Sequence, residues 1–232
     1  MSCTNCGRKG GCDARKHEMF AAVDEALERL YPTRRWDERD DAAGFGAGLP
    51  AGEGDALAAA LAERLHAATL YRPGAAEETC DYVYVLCVGR TPSLVELRES
   101  ALEGDARAAL GDAIAEGPVL EVYLRVALST LAPFAAVQEV MLTAAVESDG
   151  AIVLTEAPRA GIFEPSLLKR LQLLVGVLAE RNIRHLDFGE IVEPPEGFDP
   201  GSYPAEYGGL PGIANYLFYP QPPAAIATTT LT

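Results

Sequence analysis

The 232-residue chain lacks a long apolar run and is poor in basic residues. No stretch approaches the roughly 20 consecutive apolar residues of a membrane-spanning helix, so we expect no membrane partner. Lysine and arginine together number 19, against 34 aspartates and glutamates, and the net charge is −15. Because an acidic chain repels phosphate backbones and anionic lipids, nucleic acid is not an expected partner either.

Common catalytic motifs are absent as well. The sequence contains no GxSxG, GxxxxGK[ST] or HExxH motif, and no GxGxxG after a predicted strand. Among its three histidines, His185 stands two residues before Asp187, and this pair could orient a general base. A structural histidine is the simpler interpretation. Enzymatic activity is therefore left open, and a non-catalytic redox or accessory subunit is favoured.

Cysteine is scarce, and three of the five cysteines lie within ten residues of each other, at Cys3, Cys6 and Cys12. The N-terminus shows no apolar signal core, which predicts a cytoplasmic location. Reducing conditions there disfavour structural disulfides. The three clustered cysteines are therefore interpreted as metal ligands.

The loop between Cys6 and Cys12 suits an anionic cluster. It holds three glycines, which permit tight turns and close approach of the backbone to a metal centre. Four nearby basic residues offset the negative charge of thiolates and sulfides; they are Arg8, Lys9, Arg15 and Lys16. The leading hypothesis is an iron–sulfur cluster of the 4Fe–4S type, in an accessory or electron-transfer protein that docks onto a larger redox enzyme.

A four-iron cluster held by three cysteines needs a fourth ligand from elsewhere. Cys80 and Cys87 bound a predicted strand, and their odd separation places them on opposite faces of it. Cys80 lies nearer a loop and is the preferred fourth ligand, whereas Cys87 is expected to pack in the core. His17, solvent or another molecule could also complete the site.

Structural zinc is the second hypothesis, because the three cysteines and His17 would supply four tetrahedral ligands. The run Cys-Thr-Asn-Cys-Gly-Arg-Lys-Gly resembles the opening of a retroviral-type zinc knuckle. In that alignment the knuckle's histidine falls at Gly11 and its last cysteine at Lys16. Under this hypothesis the protein is an interaction module without redox chemistry. Cys3 and Cys6 also form a CxxC pair, which is typical of a redox dithiol.

Beyond a metal-binding arm at 1–17, residues 18–193 predict an α+β domain with a mixed or antiparallel sheet and packed helices. Helices are expected at 14–30, 55–68, 101–116 and 164–181. Strands are expected at 80–88, 119–128, 137–146, 152–155 and 185–191, with a hairpin turn at 148–150, although the pattern of 119–128 also fits a helix. Residues 194–232, rich in proline and aromatics, predict an ordered extended tail on the domain or on a partner.

Overall fold

The computed structural model describes residues 14–40, 53–66, 68–72, 82–89, 93–159, 162, 164–204, 210–218 and 227–231. Within these ranges the chain forms six α-helices and a seven-stranded sheet. The helices are α1 (Ala14–Leu30), α2 (Glu53–Leu65), α3 (Leu94–Arg98), α4 (Gly104–Glu116), α5 (Pro165–Glu180) and α6 (Ile213–Leu217). The strands are β1 (Thr69–Arg72), β2 (Tyr82–Cys87), β3 (Val119–Ser129), β4 (Phe134–Val146), β5 (Ile152–Arg159), β6 (Arg184–Asp187) and β7 (Ala227–Leu231).

The sheet has the strand order β1-β2-β3-β4-β5-β7, and each neighbouring pair along this path is antiparallel. Strand β6 pairs in parallel with the first residues of β4, beside the position that β5 occupies further along. The predicted α+β class with a mixed or antiparallel sheet and packed helices is therefore confirmed, and the sheet is antiparallel except for the pairing of β6 with β4. The predicted metal-binding arm lies almost entirely outside the described residues.

One face of the sheet is covered by α2 and α5, and we call it the α2/α5 face. Strand β3 directs Leu124 and Val126 to this face, and both are fully buried. They belong to one continuous cluster with Leu61 of α2 and Leu174 of α5. Helix α5 begins at a proline, where a missing N–H costs nothing, and is followed by Asn182 in the left-handed conformation expected there.

The opposite face, which we call the α1/α4 face, carries two apolar clusters rather than one. The first lies under α1 and α6 and includes Leu27, Leu217 and, from β3, Ala127. The second lies under α3 and α4 and includes Ile114 together with Tyr123 of β3. Between Tyr123 and Ala127 on the same face of β3 stands Arg125, which is 5% exposed.

Within the predicted tail, at 194–232, the structure places α6 and β7. The Tyr31 hydroxyl at the end of α1 donates to the Tyr216 carbonyl at 3.0 Å, and the two rings meet edge to face at 4.9 Å. Gly212 precedes α6 at a close backbone approach, since a Cβ there would lie 2.2 Å from the Val192 carbonyl oxygen. These contacts join the C-terminal segment to the end of α1.

Several predicted boundaries differ from the structure by two to four residues, and in two elements the difference has a structural cause. The strand expected at 185–191 ends at Asp187, because the Asp187 carboxylate accepts a hydrogen bond from the Gly189 N–H and starts a 3-10 helix at Phe188–Glu190. The helix expected at 101–116 begins at Gly104 and is preceded by a separate short helix, α3. Four described elements were not predicted, because runs of four or five residues are too short to show a period; they are β1, α3, α6 and β7.

Candidate functional site

The predicted metal ligands Cys3, Cys6, Cys12 and Cys80 lie outside the described residues. The backbone of His17 belongs to α1, but its side chain is also outside what the structure describes. Among the residues that are described, no group of three or more histidine, cysteine, aspartate or glutamate side chains could hold a metal ion. The ligand set of the arm therefore stays a prediction.

The arm leads directly into a helix that is anchored in the protein core. Helix α1 begins at Ala14, two residues after Cys12. Val23, Leu27 and Leu30 on its inner face are fully buried in the first cluster of the α1/α4 face. The helix that follows the cysteines is thus a fixed part of the folded body.

Cys87 is a buried core residue, as expected from its place in the strand. It lies at the end of β2 with no exposed surface and belongs to the cluster of the α2/α5 face. Burial raises the pKa of its thiol to about 12, although the nearby Arg170 charge lowers it slightly. Because the thiolate is the reactive and metal-binding form, Cys87 is chemically inert in the folded chain.

His185 and Asp187 both lie on β6, where they pair in register with Ala135 and Val137 of β4. Burial lowers the pKa of His185 more than the nearby charges of Asp187 and Glu190 raise it. The Asp187 carboxylate accepts a hydrogen bond from the backbone of Gly189 at 3.0 Å. The geometry therefore gives Asp187 a role in ending the strand, and the structure supplies no support for a catalytic pair.

The structure brings together a polar site that the sequence did not predict. We call it the arginine–glutamate network, and it lies between the two apolar clusters of the α1/α4 face. Its members come from four elements, α3, β3, β4 and β5; they are Arg98, Tyr123, Arg125, Gln138 and Glu156. Isolated charges are costly to bury, so the pairing of these groups decides whether the site can exist.

Arg125 is held by a partner on each side. The antiparallel register of β3 and β4 places Arg125 opposite Gln138, whose side-chain oxygen accepts from both Nε, at 3.1 Å, and Nη2. Its Nη1 donates to Oε1 of Glu156 at 2.5 Å. The guanidinium also lies 5.9 Å from the centre of the Tyr84 ring, within the range of a cation–π contact.

Glu156 is the hub of the network, since both of its carboxylate oxygens are engaged. Oε1 accepts from Arg125, while Oε2 accepts from Nη1 of Arg98 and from the Tyr123 hydroxyl, the latter at 3.1 Å. The residue is 9% exposed. One carboxylate thus lies between two guanidinium groups, and Arg98 also pairs through Nε with Glu99 at 3.0 Å.

Arg98 is positioned by the short helix α3, whose first turn is held in place by hydrogen bonds of Ser93. Ser93 precedes α3, and its hydroxyl accepts from the Val95 N–H at 3.1 Å, which caps the helix. The same hydroxyl donates to the carboxylate of Glu121 on β3 at 2.8 Å. These bonds tie α3 to the sheet and direct its last residue, Arg98, toward Glu156.

Electrostatics favour the neutral form of Tyr123 and the charged form of Arg98. Burial raises the pKa of the Tyr123 hydroxyl and outweighs the lowering by the positive charges of Arg98 and Arg125, while Glu156 also raises it. For Arg98, burial alone would lower the pKa, but Tyr123, Glu156 and Glu99 together outweigh burial and raise it. Tyr123 is therefore a neutral hydrogen-bond donor and Arg98 a permanent cation.

The network opens onto a pocket of about 520 Å³, lined among others by Arg98, Arg125, Glu156, Ser100 and Thr229. Ser100 follows α3 with a φ of 56°, a left-handed conformation that is uncommon for serine. The sequence does show a charged or amide residue in each central strand, at a position that the alternation pattern places toward the core. Sequence alone could not show that these residues face one another, because this depends on the strand register.

No protein-family model matches this chain, and neither the curated proteins nor the solved structures include a significant match. In the described ranges, no helix has both the length and the apolar character that crossing a membrane would require. The comparisons therefore assign no family, and function must be argued from the residues themselves.

Proposed function

We propose that the protein binds an iron–sulfur cluster, of the 4Fe–4S type, through Cys3, Cys6 and Cys12. The observation that carries the proposal is the presence of three cysteines within ten residues, separated by a loop rich in glycine and basic residues. Thiolates are the usual protein ligands of such clusters, and short glycine-containing loops allow three of them to converge.

The body of the chain supports this proposal in two ways. Because α1 begins at Ala14, two residues after Cys12 in the chain, the partial positive charge of its N-terminus would favour an anionic centre bound at Cys12. Because α1 is anchored by buried residues, a cluster on the arm would be held close to the folded domain.

The protein then acts as an accessory or electron-transfer subunit in the cytoplasm, docked onto a larger redox enzyme or complex. Its charge of −15 argues against nucleic acid as the partner. Cys80 is the proposed fourth ligand. The competing proposal is a structural zinc ion held by the three cysteines and His17, which would leave the protein as an interaction module without redox chemistry.

Metal analysis of the anaerobically purified full chain distinguishes an iron–sulfur protein from a zinc protein. An iron–sulfur protein is brown, with broad absorbance near roughly 400 nm, and contains iron and acid-labile sulfide. We expect the variant with Cys3→Ser, Cys6→Ser and Cys12→Ser to be colourless and free of both. A colourless wild-type protein with one bound zinc would overturn the iron–sulfur proposal in favour of zinc.

Two further variants make the assignment specific. Cys87→Ala removes a cysteine that is buried in the core, so it should leave the cluster content unchanged and serves as the matched control. Cys80→Ser should reduce the cluster content or convert the cluster to a three-iron form. If the Cys80→Ser protein retains a full 4Fe–4S cluster, Cys80 is not the fourth ligand.

A further inference from the structure

Two pockets lie side by side on the α1/α4 face, and both are bordered by α3, β5 and β7. The first is the pocket of the arginine–glutamate network, which we call the head pocket. The second has a volume of about 410 Å³ and is lined mainly by apolar or small residues, so we call it the apolar pocket. Its lining residues include Leu97, Ala108, Gly111, Ile152 and Leu231, together with Arg107.

The two pockets are bordered by neighbouring residues of the same elements. Leu97 lines the apolar pocket, and the next residue of α3, Arg98, lines the head pocket. On β7, Thr229 lines the head pocket and Leu231 the apolar pocket. Two residues of a strand span about 7 Å, and residues two apart share a face, so one short ligand can reach both pockets.

The hydrogen bonds of the head pocket indicate which charge the bound group of a ligand should carry. Both oxygens of Glu156, and Oε1 of Glu99 in the same lining, already accept bonds from arginine. By contrast, no acceptor for Nη2 of Arg98 is found among the described residues, although Nε and Nη1 of the same side chain are engaged. A guanidinium N–H can only donate, whereas the hydroxyls of Ser100 and Thr229 in the same lining can donate or accept. The remaining donor of Arg98 therefore suits an anionic acceptor such as a carboxylate.

The apolar pocket has open space where a hydrocarbon can lie. Gly111 lies on α4, and a Cβ built there would meet no atom within 4 Å. Ile152 and Leu231 border the pocket from the sheet, where they are paired in register on β5 and β7. Each CH₂ group buried against such residues tightens binding about fourfold, so a chain of several carbons would bind measurably.

We propose that this face binds a medium-chain carboxylate. Its carboxylate accepts hydrogen bonds from Arg98 in the head pocket, and its hydrocarbon chain lies in the apolar pocket beside Gly111. Glu156 and Arg125 do not contact the ligand in this arrangement and hold Arg98 in place. None of the residues named for this site belongs to the cysteine arm, so the proposal does not depend on the iron–sulfur proposal.

Isothermal titration calorimetry of the full chain with sodium octanoate tests the proposal. We expect saturable binding of one octanoate per chain, with at least tenfold weaker binding of acetate and of octylammonium. Absence of saturable octanoate binding would overturn the proposal, and so would octylammonium binding as tightly as octanoate.

Two substitutions, each with a control, test which pocket holds the hydrocarbon chain and which holds the carboxylate. Gly111→Leu places a side chain in the apolar pocket and should weaken octanoate binding at least tenfold. Gly176→Leu, at an exposed position of α5 with equally open space, is its control and should leave binding unchanged.

Arg98→Gln removes the cation of the head pocket and should also weaken octanoate binding at least tenfold. Its control is Arg64→Gln, which breaks an exposed ion pair with Glu180. Circular dichroism confirms that each variant is folded. Unchanged octanoate affinity in Gly111→Leu would contradict the assignment, and the triple cysteine-to-serine variant should bind octanoate like the wild type.

Discussion

The two faces of the central sheet are buried in different ways. On the α2/α5 face, β3 contributes Leu124 and Val126 to one continuous aliphatic cluster. On the α1/α4 face the same strand contributes Arg125, and charged groups separate two apolar clusters. Both sides are well covered by helices, so the difference lies in the chemistry of the buried side chains.

The comparison of the two faces indicates which buried side chains are needed for folding alone. Aliphatic side chains stabilise a face simply by leaving water. A buried ion pair loses its hydration, and apolar residues of the same volume would often stabilise a protein equally well. Folding free energy alone therefore does not require the arginine–glutamate network, and the proposed carboxylate ligand would give it a function by needing Arg98 held in place.

The buried carboxylate of the α2/α5 face gives a useful contrast. Glu139 is fully buried and accepts from Arg159 at 2.9 Å and from the Glu164 N–H at 2.8 Å. It thereby ties the start of α5 to the sheet, which is a structural role. Within the part of the chain that the structure describes, Glu156 bonds to no backbone group and lines a pocket instead.

Removing the hub of the network should have the largest effect on stability. Glu156→Gln leaves two buried guanidinium groups without their carboxylate, and we expect a loss of about 3–5 kcal/mol in the free energy of unfolding. Urea denaturation followed by circular dichroism measures it. The triple variant Arg98→Met, Arg125→Met and Glu156→Met should recover most of that loss while abolishing octanoate binding. A triple variant less stable than Glu156→Gln would mean that the network is needed for folding.

The aliphatic face should respond by a different mechanism, the formation of a cavity. Leu124→Ala removes a fully buried side chain from the α2/α5 face and should cost about 3 kcal/mol, within the usual range for buried leucines. Leu120→Ala on the same strand is the control, since Leu120 is 59% exposed and should change the stability by less than about 0.5 kcal/mol. Equal losses in the two variants would contradict the packing described for this face.

A smaller effect is expected from the tyrosine of the network. Tyr123→Phe keeps the buried ring in the cluster under α3 and α4 but removes the hydroxyl that donates to Glu156. We expect a loss of about 1 kcal/mol, because Oε2 of Glu156 keeps its bond from Arg98. The same urea titration measures this change. A loss as large as that of Glu156→Gln would show that Tyr123, rather than the ion pairs, holds the network together.

The smallest expected effect is the pH dependence that His185 contributes on β6. Burial lowers its pKa in the folded state below the usual value of 6.5, against the opposing charges of Asp187 and Glu190. The unfolded chain therefore binds more protons below pH 6.5, and stability is full above that pH and falls as the pH drops toward the folded pKa. Urea midpoints at pH 7.5 and 5.5 should differ less in His185→Gln than in the wild type. An unchanged difference would assign the acid sensitivity to other groups.

The elements that sequence patterns predicted are those whose signal is local. The alternation in β3, the turn between β4 and β5 and the apolar face of α5 can each be recognised within a dozen residues. Arg98, Arg125 and Glu156 are far apart in the chain and meet only through the strand register and the placement of α3. The cysteine motif, by contrast, is visible without any fold, because its three cysteines lie within ten residues of one another.

The central claim is that Cys3, Cys6 and Cys12 hold an iron–sulfur cluster, and the most direct test is the metal content of the anaerobically purified full chain. Iron, zinc and acid-labile sulfide are measured per chain, in the wild type and in the Cys3→Ser, Cys6→Ser, Cys12→Ser variant. We expect about four iron and four sulfide in the wild type and neither in the variant. One zinc without sulfide, or iron and sulfide that persist in the variant, would contradict the claim.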